Sequence, residues 1–418
     1  MTPTTRFRML GPGIVMAGAA IGTSHLVQAT RAGADYGYQL LIIVVLVNLF
    51  KYPFFEFGHR YLVSTRENLV DGYLRMGRPF LYGFVLFALI SSIVAVAGVS
   101  FVTASIAGHL FGSSLGATGW SALVMAACVV ILTVGHYRWL DHAMKGIMAV
   151  LFLATLAAFL AAVLHGPVAP PGYEAPSAWT VARVGFVIAL MGWMPAPIEI
   201  SVMQSLWLQA RERSTGQRAT IEAAALDFNV GYGLTVILAL MFLMLGALVM
   251  HGSGIEVASA GATFAGQLIQ IYRDTLGAWV GPLVGVAALT TMFSTTLAVI
   301  DGYPRCLTAA SRLLAPGLEL APRRLHGAWM AVICLPALLI TNAFINRLTD
   351  LVDLATTLSF LTAPFFAYLN FRLISASHIP QTLRPGPVLR GLSWIGLMFL
   401  TGFSALFLVY RFLPGLLD

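Results

Sequence analysis

The sequence predicts an all-α integral membrane fold of about eleven spanning helices. They form two five-helix halves of opposite orientation, each opening on a broken helix, with one helix added at the end. Three observations predict it. Of the 418 residues, 58% are hydrophobic and 10% charged, with mean hydropathy +0.84; a soluble chain is typically about a quarter charged. Apolar stretches of about the 17–25 residues needed to cross roughly 30 Å of hydrocarbon recur along the chain. Two of those stretches, five spans apart, are interrupted near their middles.

In order, the spans fall near 11–32, 39–63, 80–108, 118–135, 140–165, 180–209, 225–250, 279–304, 327–345, 351–371 and 391–413. Span 1 runs from Gly11-Pro12-Gly13 to Ile21, breaks at Gly22-Thr23-Ser24-His25, and resumes from Leu26 to Ala32. Span 2 carries Lys51, Pro53 and Glu56. Spans 3 and 4 are divided by a turn at Phe111–Gly119, inside a stretch from Pro79 to Tyr137 with no formal charge. Span 6 runs from Val184 to Trp193, breaks at Met194-Pro195-Ala196-Pro197, and resumes from Ile198 to Leu208. Pro195 and Pro197 each remove a donor and crowd the preceding turn, so together they almost force unwinding. The outer loop 251–278 suggests a short surface helix at Ala258–Tyr272, and 167–176 and 380–387 read as proline-rich connectors.

Charge fixes the orientation. With the N-terminus inside, 18 of the Lys and Arg residues fall in inner loops and 5 in outer ones, while Lys51 lies within span 2. That is the positive-inside pattern. It places the N-terminus in the cytoplasm and the C-terminus outside, as an odd number of spans requires. The expected location is a cell (inner) membrane, crossed many times. The same loop distribution explains the net charge of +7 without a nucleic-acid partner. No cleavage motif marks a secretory signal. Cys128, Cys306 and Cys334 have no metal-type spacing and read as small core residues.

The expected organisation is a single transmembrane domain over residues 1–418. The first repeat covers about 11–165 and the second about 180–371; an extra helix covers about 391–413. Lipid tolerates unpaired backbone only where it is buried in protein or faces a watery cavity. Broken helices at matching places in two halves therefore mark a transporter with its substrate site at mid-membrane. Such a break frees carbonyls, which suit cations, and N–H groups, which suit anions. The candidates at the first break are Gly22, Thr23, Ser24 and His25, and at the second Met194 and Pro195. Imidazole with thioether is a soft pair that favours transition metals. The competing readings are a hydrogen-bonded interior His25 and a Met194 that merely fills space.

Glu199, one turn past the second break, is an intramembrane acid and so a candidate for substrate or proton, or else a hydrogen-bonded structural group. Asp301 is a proton candidate or the i, i+4 partner of Arg305. His25 titrates in a useful range when unperturbed, so His25, Glu199 and Asp301 are the proton-coupling candidates. Thr356 is a site candidate, or a hydroxyl bonded to its own helix. Lys51 and Glu56 read as structural parts of a kinked span, and Asp227 and Asn229 as solvated residues at the inner end of span 7. Gly11, Gly13, Gly18 and Gly22 suggest a span 1 tolerant of movement. No nucleotide loop, paired catalytic carboxylates or nucleophile with a base suggests an enzyme.

Gly11-Pro12-Gly13-Ile14-Val15-Met16 followed by Gln28-Ala29-Thr30-Arg31-Ala32-Gly33-Ala34-Asp35-Tyr36-Gly37-Tyr38 resembles the first helix of the NRAMP metal-ion transporters. Met194-Pro195 resembles that family's methionine-proline motif, and Phe293-Ser294-Thr295-Thr296 its serine-rich stretch. The resemblance implies the leucine-transporter-type 5+5 inverted repeat and proton-coupled uptake of manganese, iron and related divalent ions. It also exposes departures. The family's Asp-Pro-Gly-Asn break is here Gly22-Thr23-Ser24-His25, with Gly22 at the Asp position and His25 at the Asn position. Its Met-Pro-His is here Met194-Pro195-Ala196. Thr356 stands where the family has a coordinating glutamine, and no acid lies between Asp71 and Asp141.

The first expectation is a secondary-active, alternating-access transporter of divalent transition metals with an altered site. The alternative is a transporter of a small organic or anionic solute, such as an amino acid or carboxylate, on the same scaffold. The expected partners are the transported ion or solute and the lipid bilayer. A monomer with no cofactor is expected.

Overall fold

The computed structural model describes residues 11–413 apart from 113, 135–136, 255–256 and 259, and apart from the side chains of 137–145, 147, 262, 275, 276 and 280. Arg6 and Arg8 of the orientation argument lie outside these residues. Fifteen α-helices account for the described chain, and no strand occurs among the described residues. Span 1 is α1 (Pro12–Ala20), a π-turn (Ser24–Ala29) and α2 (Thr30–Tyr36). Span 2 is α3 (Leu41–Thr65), followed by a short α4 (Leu69–Met76) that hydropathy alone did not suggest. Spans 3 to 5 are α5 (Arg78–Phe111), α6 (Gly116–Val134) and α7 (Tyr137–His165). Span 6 is α8 (Val184–Gly192) and α9 (Ile200–Thr215), and span 7 is α10 (Ile221–Val249). The loop after span 7 carries α11 (Gly261–Leu276), a few residues later than the sequence suggested. Spans 8 to 11 are α12 (Val280–Leu314), α13 (Pro322–Ala343), α14 (Leu348–Ile374) and α15 (Pro387–Phe412).

Among the described residues, nine helices are long and apolar enough to cross a membrane, and the two broken spans complete the predicted eleven. The chain is thus a multi-pass membrane protein. Span 8 outruns its predicted end by a full ten residues because Asp301, Arg305 and Arg312 end the hydropathy signal without ending the helix. Its 35 residues rise about 52 Å, well beyond the hydrocarbon.

Burial sorts the spans into two rings. In α6, α7, α13 and α15 only 22–28% of the most apolar window is buried, against 56–72% in α3, α5, α10, α12 and α14. The first group shows apolar side chains such as Leu153, Leu164, Leu339 and Met398 outward, as lipid-facing helices do. The second group surrounds the two broken helices, so any mid-membrane site is built from it.

Spans 1 and 7 approach with almost no side chain between them. A Cβ on Gly13 would strike the Asp227 carbonyl, and one on Gly231 the Gly13 carbonyl. The arrangement repeats at the other end, where a Cβ on Gly33 would strike the Leu243 carbonyl and one on Gly246 the Thr30 carbonyl. Small residues at membrane helix contacts allow such approach. The glycines expected to loosen span 1 therefore include one, Gly13, whose visible service is packing. Asp227 is not a solvated boundary residue. It is buried, and its carboxylate accepts from Gly11 N–H at 2.8 Å and Gly13 N–H at 2.7 Å. It supplies the orphan donors at the α1 N-terminus with acceptors and complements the helix dipole there.

Candidate substrate site between the two helix breaks

The first break begins where Ile21 leaves helical geometry at ψ 91°. Gly22 sits against Thr295 of α12; a Cβ there would come within 2.8 Å of the Thr295 methyl carbon. The Thr295 hydroxyl lies 2.8 Å from the Gly18 carbonyl, 3.1 Å from that of Ile21 and 3.1 Å from that of Thr291. With one proton it serves one of them at a time. The chain re-enters helix through a π-turn, a feature common at functional sites. Thr23, Ser24, His25 and Gln28 are all buried.

The second break follows Gly192, whose Cα packs so closely on the Thr356 carbonyl that a Cβ would overlap it. Trp193 to Ile198 are non-helical, the Met194–Pro195 peptide bond is cis, and α9 starts at Ile200. Carbonyls freed here are already engaged. The Lys51 amine, from span 2, donates to Met191 O and Gly192 O at 2.7 Å each, and lies 3.4 Å from Ala196 O. Lys51 is wholly buried. It does not pair with Glu56, whose carboxylate is held instead by Arg60 at 2.7 and 2.9 Å.

A small cavity lies between the breaks. It is lined by Thr23 and Ser24 of the first break, Trp193 and Pro197 of the second, Ala95 and Val99 of α5, and Thr295 and Tyr303 of α12, among others. The space open to a water centre is about 20 Å³, enough for one water molecule. The Thr23 hydroxyl is buried on its wall without a hydrogen-bond partner. An unpartnered buried hydroxyl costs about 1–3 kcal/mol, so it is a group that a bound ion or water would satisfy.

The sequence candidates divide. Gly22, Thr23 and Ser24 stand at the first break, and the latter two face the cavity. His25 turns away. Its Nε2 is 3.0 Å from the Thr235 carbonyl of α10, and its Nδ1 is 2.8 Å from the Ser24 hydroxyl. A carbonyl only accepts, so Nε2 carries a proton, and the one Ser24 hydroxyl proton serves either Nδ1 or the Ala20 carbonyl at 3.3 Å. Met194 and Pro195 are buried at the second break but do not line the cavity. Glu199 is also off the wall, one contact behind it. Its Oε1 accepts from the Tyr303 hydroxyl at 3.0 Å, while Oε2 has no partner. Thr356 donates to the Val352 carbonyl at 2.8 Å and lies 3.3 Å from the Gln28 amide. Asp301 is bound by Arg305 at 2.6 Å and by the Trp207 indole at 2.9 Å, with His326 at 3.8 Å. It lines a separate cavity. Among the described residues no three His, Cys, Asp or Glu side chains come together as a metal-binding group.

Several participants escaped the sequence reading. Tyr303 and Thr295 sit in a helix read for its serine-rich resemblance and for Asp301, with no site role given to either residue. Gln28 bonds Asp353 at 2.7 Å, and Arg31 bonds the same carboxylate at 2.7 Å, which ties the second half of span 1 to α14. Lys51 did carry a signal, since a charge within a span is a functional candidate by default.

Comparison with known proteins follows the same lines. A family model described as natural resistance-associated macrophage protein-like matches residues 13–410. An uncharacterized protein of Pasteurella multocida is 41% identical over 410 residues, covering 97% of this chain and 93% of that protein. A divalent metal cation transporter of Pseudomonas aeruginosa is 24% identical over 368 residues, covering 81% and 80%. Among solved structures, a histidine-to-alanine mutant of the Eremococcus coleocola manganese transporter superposes with TM-score 0.68 at 13% identity, over 96% of this chain and 87% of that one. MhsT in complex with L-phenylalanine superposes with TM-score 0.66 at 14% identity, over 94% of this chain and 98% of that one. The fold is therefore the broken-helix transporter fold that these two structures share. By a match over nearly its whole length, and with both helix breaks in place, the chain belongs to the natural resistance-associated macrophage protein-like (Nramp) family.

Proposed function

We propose that this chain is a secondary-active transporter of divalent transition-metal ions that works by alternating access, with the ion passing between the two helix breaks. The observation that carries the reading is the pairing of the breaks across one cavity, mainly apolar but carrying the Thr23 and Ser24 hydroxyls on its wall, in a chain of this family. Relatives named as divalent metal cation transporters support it. The donors near the cavity are hydroxyls of Thr23 and Ser24, with the Met194 sulfur buried at the adjoining break. Neutral donors of this kind hold an ion that keeps part of its water. Glu199, which accepts from the cavity-lining Tyr303, is the first proton-coupling candidate; His25 and Asp301 follow it. The cavity must widen to admit a hydrated ion, as the rocking of one helix bundle against the other would do.

In this reading the halves are residues 11–165 and 180–371, with 391–413 added. The protein works as a monomer in an inner membrane, its N-terminus in the cytoplasm and its C-terminus outside. The test is uptake into proteoliposomes holding a metal-quenched fluorophore. Manganese, iron(II), cobalt, zinc, cadmium and magnesium are offered in turn, with Met194→Ala and Glu199→Gln beside the wild type. Quenching by transition metals that both variants reduce supports the reading. Folded protein that passes none of these ions overturns it and directs the next screen to amino acids and small carboxylates.

A further inference from the structure

Of the last carbonyls of α8, that of Met191 accepts from the Met194 N–H at 3.3 Å and keeps a second lone pair free; together these carbonyls carry the negative end of the helix dipole. Across the break the Ala196 carbonyl turns toward the same point. Three oxygens thus surround one position, and the atom at that position is Lys51 Nζ, at 2.7, 2.7 and 3.4 Å. Glu199 is the acid within electrostatic reach of it, and one oxygen of that acid lacks a hydrogen-bond partner. An ammonium has three donors and no acceptor, which suits three carbonyls. A neutral amine would bring two N–H groups to three acceptors and press its lone pair against them. Unwound carbonyls of broken membrane helices are where small monovalent cations bind.

We propose that the Met191, Gly192 and Ala196 carbonyls form a monovalent-cation site whose resident cation is the chain's own Lys51 ammonium. Lys51 holds the two sides of the span 6 break together and supplies the fixed positive charge that balances Glu199. Building the cation into span 2 makes its occupancy independent of the medium. Under the transport reading above, on which this consequence alone rests, uptake needs no added sodium or potassium.

The test removes the tether and offers the site a free ion. Wild type, Lys51→Ala and Lys51→Met are purified in detergent. Each is melted in chlorides of sodium, potassium, ammonium, methylammonium or the bulky N-methylglucamine, at equal ionic strength. The wild type is expected to melt within about 1 °C in all five salts. Lys51→Ala, with an emptied site, is expected to melt lower in N-methylglucamine and to gain at least about 2 °C from one of the small cations. Lys51→Met fills the path with an uncharged stem and is expected to stay low in every salt. If Lys51→Ala survives extraction only as aggregate in N-methylglucamine, methylammonium must restore a monodisperse peak. The proposal is overturned if no small cation raises Lys51→Ala above N-methylglucamine, if Lys51→Met matches the wild type, or if Lys51→Ala aggregates in every salt. Melting needs no transported substrate, so the result stands whether or not metal uptake is found.

Discussion

Replacing Asp227 isolates the contribution of one buried carboxylate to the start of span 1. In the native protein its two oxygens accept from Gly11 N–H at 2.8 Å and Gly13 N–H at 2.7 Å. Asp227→Asn keeps the shape but offers one oxygen, and it turns an amide N–H toward a backbone N–H. A hydrogen bond to a charged group contributes about 1.5–3 kcal/mol, and a buried donor left unpaired costs about 1–3 kcal/mol. The lost dipole complement adds up to about 1 kcal/mol. The retained neutral bond offsets part of this, so Asp227→Asn is expected to destabilise by about 2–4 kcal/mol. Asp227→Ala, which removes both acceptors, is expected to cost about 3–5 kcal/mol. In a large chain each kcal/mol shifts the melting midpoint by about 2 °C. A fall of about 4–8 °C is thus expected for Asp227→Asn by fluorescence-detected size exclusion after heating. The reasoning fails if Asp227→Asn melts within 1 °C of the wild type, or if Asp227→Ala is no worse than Asp227→Asn.

Three other substitutions probe the site and its supports. Tyr303→Phe takes the Tyr303 hydrogen bond from Glu199 at little change of volume; uptake in the proteoliposome assay is expected to fall about tenfold, as about 1.4 kcal/mol of lost stabilisation would give, and unchanged uptake would remove the Tyr303–Glu199 contact from the mechanism. Thr295→Val keeps volume but removes the one hydroxyl proton that the Gly18 and Ile21 carbonyls share; a melting loss of about 2–4 °C is expected, with wild-type melting counting against the bond. Asp301→Asn breaks a largely buried pair with Arg305 and should destabilise by about 3–5 kcal/mol, and it should do so without altering which metal is accepted; a changed ion preference would bring Asp301 back into the substrate path.

Much of the scaffold was legible because it is local. Apolar length, the double proline of span 6 and the small polar run of span 1 are each contained in one stretch of chain, so spans and breaks could be read directly. The family resemblance was legible for the same reason. What the sequence could not supply was direction. His25 is the right residue type for a metal, but the register of α10 offers it the Thr235 carbonyl, 210 positions away. Lys51 was read beside Glu56 because the two are close in sequence, whereas its stem crosses to carbonyls 140 and more positions away. Asp227 sits at the predicted start of span 7 and so resembled a solvated residue; α10 begins earlier, at Ile221, and the packing of spans 1 and 7 turns Asp227 to the start of α1. The Asp301–Arg305 pair was readable, since i, i+4 spacing on a helix fixes the neighbours.

The reciprocal glycine contacts between spans 1 and 7 bear on how the molecule can work. A helix cracked in two would ordinarily be the weakest member of the bundle. Here α10 runs unbroken along it and meets it three times: at Gly13 and Gly231 below the crack, at the His25–Thr235 bond beside it, and at Gly33 and Gly246 above it. Span 7 is a splint. Neither fragment of span 1 can swing alone without opening a backbone-to-backbone seam that has no side chains to slide on. A pair of spin labels on spans 1 and 7 should therefore keep one separation through the cycle, while a pair on spans 1 and 8 should show two.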